Sequence, residues 1–197
     1  MSKLYVAITG GIGSGKSLVL EYLRELHYPT FSCDALYKDI IVSKAYIEKI
    51  ENEFPSVIEN GAINRKLLSE IVFNNPSNRE KLNSIAHPMI MDLLMQKMKE
   101  ADDGVVFAEV PLLFEGNYEN LFDRVVYVWR DKSQRIAAVE KRDGLRLEHI
   151  KKRIETQFNG ETLDGQNRLK QCNAYLIKNS DGPQELKGKV LDFLNTL

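Results

Sequence analysis

The chain has 197 residues, enough for one substantial core with an inserted subdomain. Its 27 lysines and arginines nearly balance its 28 aspartates and glutamates, so the composition predicts no broad basic surface for nucleic acid. Two cysteines far apart in sequence, Cys33 and Cys172, form neither a disulfide framework nor a metal-ligand pattern. No apolar run approaches the ~20 residues of a membrane span, and no leader pattern precedes the first strand. We expect a cytoplasmic protein without a membrane partner.

A glycine-rich segment directly follows an apolar run at residues 4–8, which has the composition of a buried parallel strand. The segment, residues 10–17, reads GGIGSGKS. Glycines let the backbone turn its N–H groups toward a phosphate, while lysine adds positive charge and the serine hydroxyl can ligate Mg²⁺. Leucines at near-helical spacing follow, so the segment ends at a helix N-terminus, which favours anions. The order of strand, loop and helix predicts a P-loop. A dinucleotide-binding fingerprint is excluded, because its third glycine would stand at Leu18.

A second short strand is predicted at residues 30–33, and Asp34 follows it directly. Ligands of open α/β sheets bind outside the carboxyl ends of the strands, so we expect Asp34 at the P-loop edge. The alternative is that Asp34 only caps a helix over residues 35–41, since aspartate is a favoured N-cap. The residues alone leave both interpretations open.

A long helical stretch, residues 35–101, separates this strand from the next. Pro55, the Asn60-Gly61 pair and residues 74–76 interrupt it, and Asn64 is predicted to cap a helix through Val72. The stretch exceeds a one-helix crossover, so we predict a helical insertion that holds a second substrate. Its His87-Pro88 pair is either part of that binding surface or a structural turn.

Strands are predicted next at residues 105–110 and 125–129, after a loop at residues 102–104. Glu109 lies near the end of the first of them, where P-loop enzymes place the carboxylate of a Mg²⁺-bound water. The alternative is an edge-exposed glutamate. Pro111 ends the strand, and a loop through Glu115 follows at the same edge.

Basic residues are concentrated in a charged helical region, residues 132–159. Such a region is usually only a solvated face. Arg142, Asp143 and Gly144 break it, however, and a hairpin of basic helices is typical of a phosphate-covering lid. Arg142 at the break could reach a transferring phosphoryl group. A last strand at residues 175–177 and a helix ending at Leu194 close the chain.

These segments resemble the dephospho-CoA kinase family nearly end to end. The resemblance rests on the run from Ile8 to Ser17, the Cys33-Asp34-Ala35 segment, residues 82–88 (LNSIAHP), residues 110–115 (VPLLFE) and Arg142-Asp143-Gly144-Leu145 with Arg153 and Gln157 beyond. The chain departs from the family pattern at Leu18, Ser32, Leu147, Ala174 and Lys178. No departure removes Lys16, Ser17, Asp34 or Arg142, so we expect an active enzyme.

The resemblance implies an α/β fold of the P-loop NTPase class, like that of nucleoside monophosphate kinases, with a parallel sheet flanked by helices. It implies one domain with a core at about 1–34, 104–131 and 171–197. A helical substrate-binding insertion would cover about 35–103, and a helical lid would cover about 132–170.

The implied activity is transfer of the ATP γ-phosphoryl to the ribose 3′-hydroxyl of dephospho-CoA, giving coenzyme A and ADP with Mg²⁺ as cofactor. Lys16, Asp34 and Arg142 are the implied catalytic residues. Ser17 would ligate the metal, and Glu109 would bind it through water. Residues implied to bind ATP are Gly11, Ile12, Gly13, Ser14, Gly15, Lys16, Ser17 and Leu18; those implied to bind the acceptor are Asp34, His87, Leu113 and Glu115. We expect a monomer or weak homo-oligomer.

Two other functions share parts of the pattern. Another small-molecule kinase of this architecture, such as a nucleoside monophosphate kinase, would share the P-loop and lid but lack the VPLLFE and His-Pro segments. A GTP-binding switch protein would carry an Asn-Lys-x-Asp motif, and the nearest candidate, Asn179-Ser180-Asp181, lacks the lysine.

Overall fold

The structure is a computed structural model that describes residues 3–73, 75–101, 104–144 and 146–197. Most of the predicted loop at residues 102–104 and Leu145 of the lid motif therefore lie outside the described residues. The elements in chain order are β1 (Leu4–Thr9), α1 (Lys16–Glu25), β2 (Thr30–Ser32), α2 (Cys33–Ile40), α3 (Lys44–Glu53), β3 (Ile58–Glu59), β4 (Ala62–Ile63), α4 (Arg65–Phe73), α5 (Pro76–Glu100), β5 (Val105–Glu109), β6 (Arg124–Trp129), α6 (Lys132–Asp143), α7 (Leu147–Glu155), α8 (Leu163–Gln171), β7 (Tyr175–Lys178) and α9 (Pro183–Leu194).

Five strands form one sheet in the order β2-β5-β1-β6-β7. β1 pairs in parallel with β5 and β6, and β6 pairs in parallel with β7. The register sets Ile8 opposite Glu109 and Thr9 opposite Tyr127. The carboxyl ends of these neighbouring strands therefore meet at one edge, where the glycine segment leaves β1. The parallel sheet flanked by helices confirms the predicted fold class.

The chain divides into two compact units. The sheet unit comprises the residues up to Phe31 together with Glu100–Leu197, and the helical unit is Ser32–Lys99. In the sheet unit, apolar strand residues pack against α1 and α9. The buried members of this core are Val6, Ile8, Val19, Leu20, Tyr22, Leu23, Phe107, Val126, Val128, Ile177, Leu186, Val190 and Phe193. Burial of each large apolar side chain contributes about 1.5–3 kcal/mol to the free energy of folding. The packed core therefore holds the carboxyl ends of the strands in place.

The core of the helical unit forms along the predicted apolar face of α3, where Tyr46, Ile50 and Phe54 are buried. Asn64 caps α4 as predicted, since its Oδ1 accepts a hydrogen bond from Leu67 N at 3.1 Å. The helix continues to Phe73, one residue beyond its predicted end.

Two local interpretations for the helical unit are wrong. α2 begins at Cys33 directly after β2, so Asp34 lies in the first helical turn, and the N-cap is Ser32. His87 and Pro88 form no turn, because α5 runs through both without a break. An internal proline costs about 3 kcal/mol, and the buried Met91, Leu94 and Met98 on the same helix offset that cost.

A β3–β4 hairpin was not predicted, although its turn was. Asn60 and Gly61 both have positive φ, 51° and 77°, as a tight two-residue hairpin turn requires. Each strand has only two residues, which is too short for an alternating pattern to show.

The lid region divides at the predicted break. α6 ends at Asp143, its C-cap Gly144 has a left-handed φ of 61°, and α7 begins at Leu147. A third helix, α8, was not predicted separately. Among the described residues, no helix has the length and apolar character needed to span a bilayer.

Candidate nucleotide site

The glycine segment turns between the end of β1 and the start of α1. Gly13 and Gly15 have φ values of 75° and 101°, which L side chains rarely adopt. Gly15 is the N-cap of α1 and offers no side-chain cap to the first turn. The first-turn N–H groups and the helix dipole therefore favour an anion at this end of α1.

Lys16 is the cation of this loop. It is only 7% exposed, and its Nζ donates a hydrogen bond to the Gly11 carbonyl at 3.1 Å. This bond joins the end of the glycine segment to its start. A buried ammonium interacts strongly with an anion because solvent screens it little. Lys16 is thus placed to attract a polyphosphate.

Ser17 and Glu109 meet where α1 starts and β5 ends. The Ser17 hydroxyl donates to Glu109 Oε1 at 3.0 Å, and Glu109 is 6% exposed. The edge-exposed alternative for Glu109 is therefore wrong. Because the serine proton points to the carboxylate, the serine oxygen keeps its lone pairs for a cation, and both groups are the hard oxygen ligands that Mg²⁺ prefers.

Asn179 and Arg135 support the loop from outside. Asn179 Nδ2 donates to Ser14 O at 2.8 Å, and Arg135 Nε donates to Ile12 O at 2.9 Å. Burial lowers the pKa of Arg135. Sequence reasoning assigned neither residue a role at the loop, because each contact joins residues more than 120 positions apart.

Position 11 has no room for a side chain, because Arg135 occupies the adjacent space. A Cβ at Gly11 would overlap the Arg135 guanidinium, which would have to leave its charged hydrogen bond to Ile12. We expect Gly11→Ala to lower the free energy of unfolding by about 1–3 kcal/mol, measured by urea denaturation.

Two further variants test this explanation. In an Arg135→Ala background, the Gly11→Ala penalty should largely disappear; an equal penalty in both backgrounds would contradict the overlap. Gly188→Ala in α9 is the matched control, since a Cβ there meets nothing within 4 Å. It should leave stability unchanged or raise it by about 0.5–1 kcal/mol through helix propensity.

Arg142 lies at the end of α6, as predicted. Its Nε and Nη2 donate to the Asp143 carboxylate at 2.7 and 2.8 Å, and the side chain is 61% exposed. This bond lowers the pKa of Asp143. The Arg142–Asp143 pair is exposed, and an exposed ion pair is typically worth little energy.

The loop after β5 carries two predicted acceptor-binding residues with different surroundings. Leu113 is fully buried, so its side chain belongs to the core. Glu115 is exposed and accepts a hydrogen bond from Phe158 N at 2.8 Å. Glu115 also lines a crevice with Gly10, Gly11 and Pro111, beside the start of the glycine segment.

Known proteins match this chain over nearly its whole length. The family model described as dephospho-CoA kinase matches residues 4–184. A dephospho-CoA kinase from Fusobacterium nucleatum is 34% identical over 199 residues, covering 100% of both proteins. This chain belongs to the dephospho-CoA kinase family. A dephospho-CoA kinase from Listeria monocytogenes is 28% identical over 197 residues, which cover 96% of this chain and 94% of the relative.

Solved structures share the fold of this chain. TT1252 from Thermus thermophilus has a TM-score of 0.82 at 28% identity, covering 100% of this chain and 98% of that chain. A dephospho-CoA kinase from Campylobacter jejuni has a TM-score of 0.63 at 26% identity, with coverages of 98% and 97%. Shikimate kinase from Acinetobacter baumannii shares the fold alone, with a TM-score of 0.57 at 16% identity and coverages of 98% and 94%.

The helical unit carries two further predicted site residues, Asp34 and His87. Asp34 is exposed in the first turn of α2, two residues after β2 ends. His87 is half-buried on α5, and desolvation lowers its pKa below the ordinary 6.5, so it is neutral at pH 7. Neutral imidazole can donate or accept a hydrogen bond without adding charge.

Proposed function

We propose that this chain transfers the γ-phosphoryl group of ATP to the ribose 3′-hydroxyl of dephospho-CoA, giving coenzyme A and ADP. The observation that carries the proposal is the Ser17–Glu109 pair beside Lys16, in a chain of the dephospho-CoA kinase family. We further propose a cytoplasmic monomer or weak homo-oligomer. Cys33 and Cys172 are not joined in a disulfide, which supports a reducing compartment.

The phosphate end of ATP is assigned to the glycine segment and Lys16. Loop N–H groups and the ammonium would hold the β- and γ-phosphates and neutralise the charge that develops during transfer. Leu18 would contribute only its backbone N–H, which also donates to Gly15 O at 3.1 Å, because its side chain packs against the core.

Magnesium fits the pair at the end of β5. Ser17 would ligate it directly and Glu109 would hold it through water, and together they offer one hydroxyl and one carboxylate oxygen. Mg²⁺ commonly binds through one or two protein oxygens with waters and substrate phosphates. When bound, the ion would neutralise phosphate charge.

The acceptor hydroxyl is assigned to Asp34. Exposure of its carboxylate and its position just after β2 support this assignment. The transition state of phosphoryl transfer is loose in most analyses, so the nucleophile needs orientation more than early proton removal. Asp34 would accept the hydrogen bond of the 3′-hydroxyl and orient its oxygen.

Other acceptor contacts are assigned to His87 and to the loop that ends at Glu115. The neutral His87 supports a polar contact, and the exposed Glu115 carboxylate supports another. The buried Leu113 would shape the loop and offer only its backbone.

Arg142 is assigned to the transferring phosphoryl group after lid closure. The 61% exposure of its side chain supports this assignment, and its exposed pair with Asp143 is typically worth little energy. Gly144 next to it has a left-handed φ, and the conformational freedom of glycine would let the backbone turn there during closure. Closure would also exclude water, which otherwise takes the phosphoryl group.

An acceptor comparison tests the function. With Mg·ATP, we expect ADP release with dephospho-CoA, detected by a coupled assay, and coenzyme A as the product by mass spectrometry. AMP and CMP, the acceptors of the competing nucleoside monophosphate kinase function, should give less than about 1% of that rate, since a site built for polar groups discriminates strongly. Equal or faster turnover of AMP or CMP would replace the proposal with that alternative.

A further inference from the structure

Gln157 contacts the middle of the glycine segment. Its side-chain Oε1 accepts a hydrogen bond from Ile12 N at 2.7 Å, across 145 positions of sequence. Gln157 follows α7 and is half-buried. A short bond to the backbone of a phosphate-binding loop fixes this carboxamide relative to the loop.

The direction of this bond orients the carboxamide. A carboxamide has one oxygen that accepts and one nitrogen that only donates, and its orientation is assigned from such bonds. Since Ile12 N–H is a donor, the oxygen must face the loop, which leaves Nε2 on the other side. Nε2 has no partner within the part of the chain that the structure describes. Gln157 lines the crevice that also contains Gly10, Gly11 and Glu115.

Phe158 anchors the segment that carries Gln157. Its ring stacks on Phe114 with 4.0 Å between centroids and meets Tyr127 edge-on at 5.8 Å. Its backbone N–H donates a hydrogen bond to Glu115 Oε1 at 2.8 Å. These contacts restrict the backbone next to Gln157, and the hydrogen bond to Ile12 N holds its side chain, so little rotamer entropy remains to be lost when Nε2 binds a ligand.

We propose that Gln157 is a further catalytic residue, whose Nε2–H donates a hydrogen bond to an oxygen of the transferring phosphoryl group. The proposal rests on the phosphoryl-transfer function given above. The γ-phosphorus breaks its bond to the β–γ bridging oxygen, which leaves with ADP, and forms one to the acceptor oxygen, whose proton would pass to the Asp34 carboxylate. Gln157 neither gains nor loses a proton; its preorganised donor stabilises charge on the group in flight.

Two substitutions separate catalysis from loop support. Gln157→Glu keeps an oxygen that can accept from Ile12 N–H, but it replaces the donor with a negative charge. Gln157→Met keeps the approximate volume and loses both the acceptor and the donor. Gln171→Glu, at the exposed end of α8, is the matched control for the added charge. Each variant is assayed for kcat, for KM of ATP and for its thermal unfolding midpoint.

A catalytic role predicts that Gln157→Glu lowers kcat by about 10²-fold or more, with an unfolding midpoint like that of the wild type, while Gln171→Glu keeps its rate. Loop support alone predicts the opposite ranking, with Gln157→Glu near wild type and Gln157→Met impaired. A Gln157→Glu kcat within about threefold of wild type would overturn the proposal.

Slow ATP hydrolysis without acceptor gives a readout independent of the acceptor's identity. If the wild type hydrolyses ATP but ignores dephospho-CoA, the proposed function fails, and the Gln157 variants still test this inference by their hydrolysis rates. If dephospho-CoA is phosphorylated and Gln157→Glu keeps both rates, only the role of Gln157 fails.

Discussion

Lys16→Met is expected to lower kcat/KM for ATP by about 10³-fold, the largest effect of any single substitution considered. The ammonium is almost fully buried and lies across the loop mouth on Gly11 O, so solvent cannot replace its charge. Methionine keeps much of the chain length and removes the charge. Initial rates over a range of ATP concentrations, with dephospho-CoA saturating, measure the effect.

Stability distinguishes this loss from unfolding. The unfolding midpoints of Lys16→Met and wild type are compared, because the substitution also removes the buried hydrogen bond from Lys16 Nζ to Gly11 O. Lys44→Met is the control, since Lys44 is 91% exposed and its pair with Glu48 is worth only a few tenths of a kcal/mol. Retention of more than a tenth of wild-type kcat/KM by Lys16→Met would contradict the assigned role of Lys16.

The P-loop could be predicted because its chemistry is local. A tight turn for a phosphate needs glycines at fixed spacing, and Gly13 and Gly15 indeed have positive φ. The preceding apolar strand, and the break at Gly144 between the lid helices, are also local patterns. Glu109 was predicted from its position at a strand end, and the register with Ile8 confirms that position.

The partners of the loop could not be predicted, because they meet it only in three dimensions. Asn179, Arg135 and Gln157 are far from residues 10–17 in sequence. Arg135 in particular stands among basic residues of a charged helix, which is usually a solvated face. Only the fold shows that it contacts Ile12.

The predicted helix boundaries were wrong where the preference of a single residue competes with the packing of the helix. Asp34 is a good N-cap residue, yet α2 begins earlier at Cys33, so the aspartate stands in the first turn, where its charge suits the helix dipole. Pro88 is a helix breaker by itself, but the packing of the long α5 outweighs it. Tertiary contacts decide such cases, and single-residue propensities do not contain them.

The second large effect is expected at Asp34, where Asn should lower kcat by about 10²-fold or more while KM for ATP changes little. Asparagine keeps the size of the side chain and one oxygen that can accept a hydrogen bond, but it lacks the negative carboxylate. That carboxylate would take the proton of the 3′-hydroxyl as the phosphoryl group arrives. Steady-state kinetics with dephospho-CoA, at saturating ATP, give the effect.

Asp39→Asn provides the matched control, because Asp39 is exposed on the same helix α2. Both substitutions remove one carboxylate from α2, so a shared loss of rate would point to the helix rather than to the hydroxyl. Asp34→Asn also removes a helix-dipole interaction of about 0.3–1 kcal/mol, which is too small to unfold the protein. A kcat of Asp34→Asn close to wild type would contradict the proposal that this carboxylate orients the acceptor hydroxyl. Catalysis would then depend on the glycine loop, the metal ligands and the lid alone.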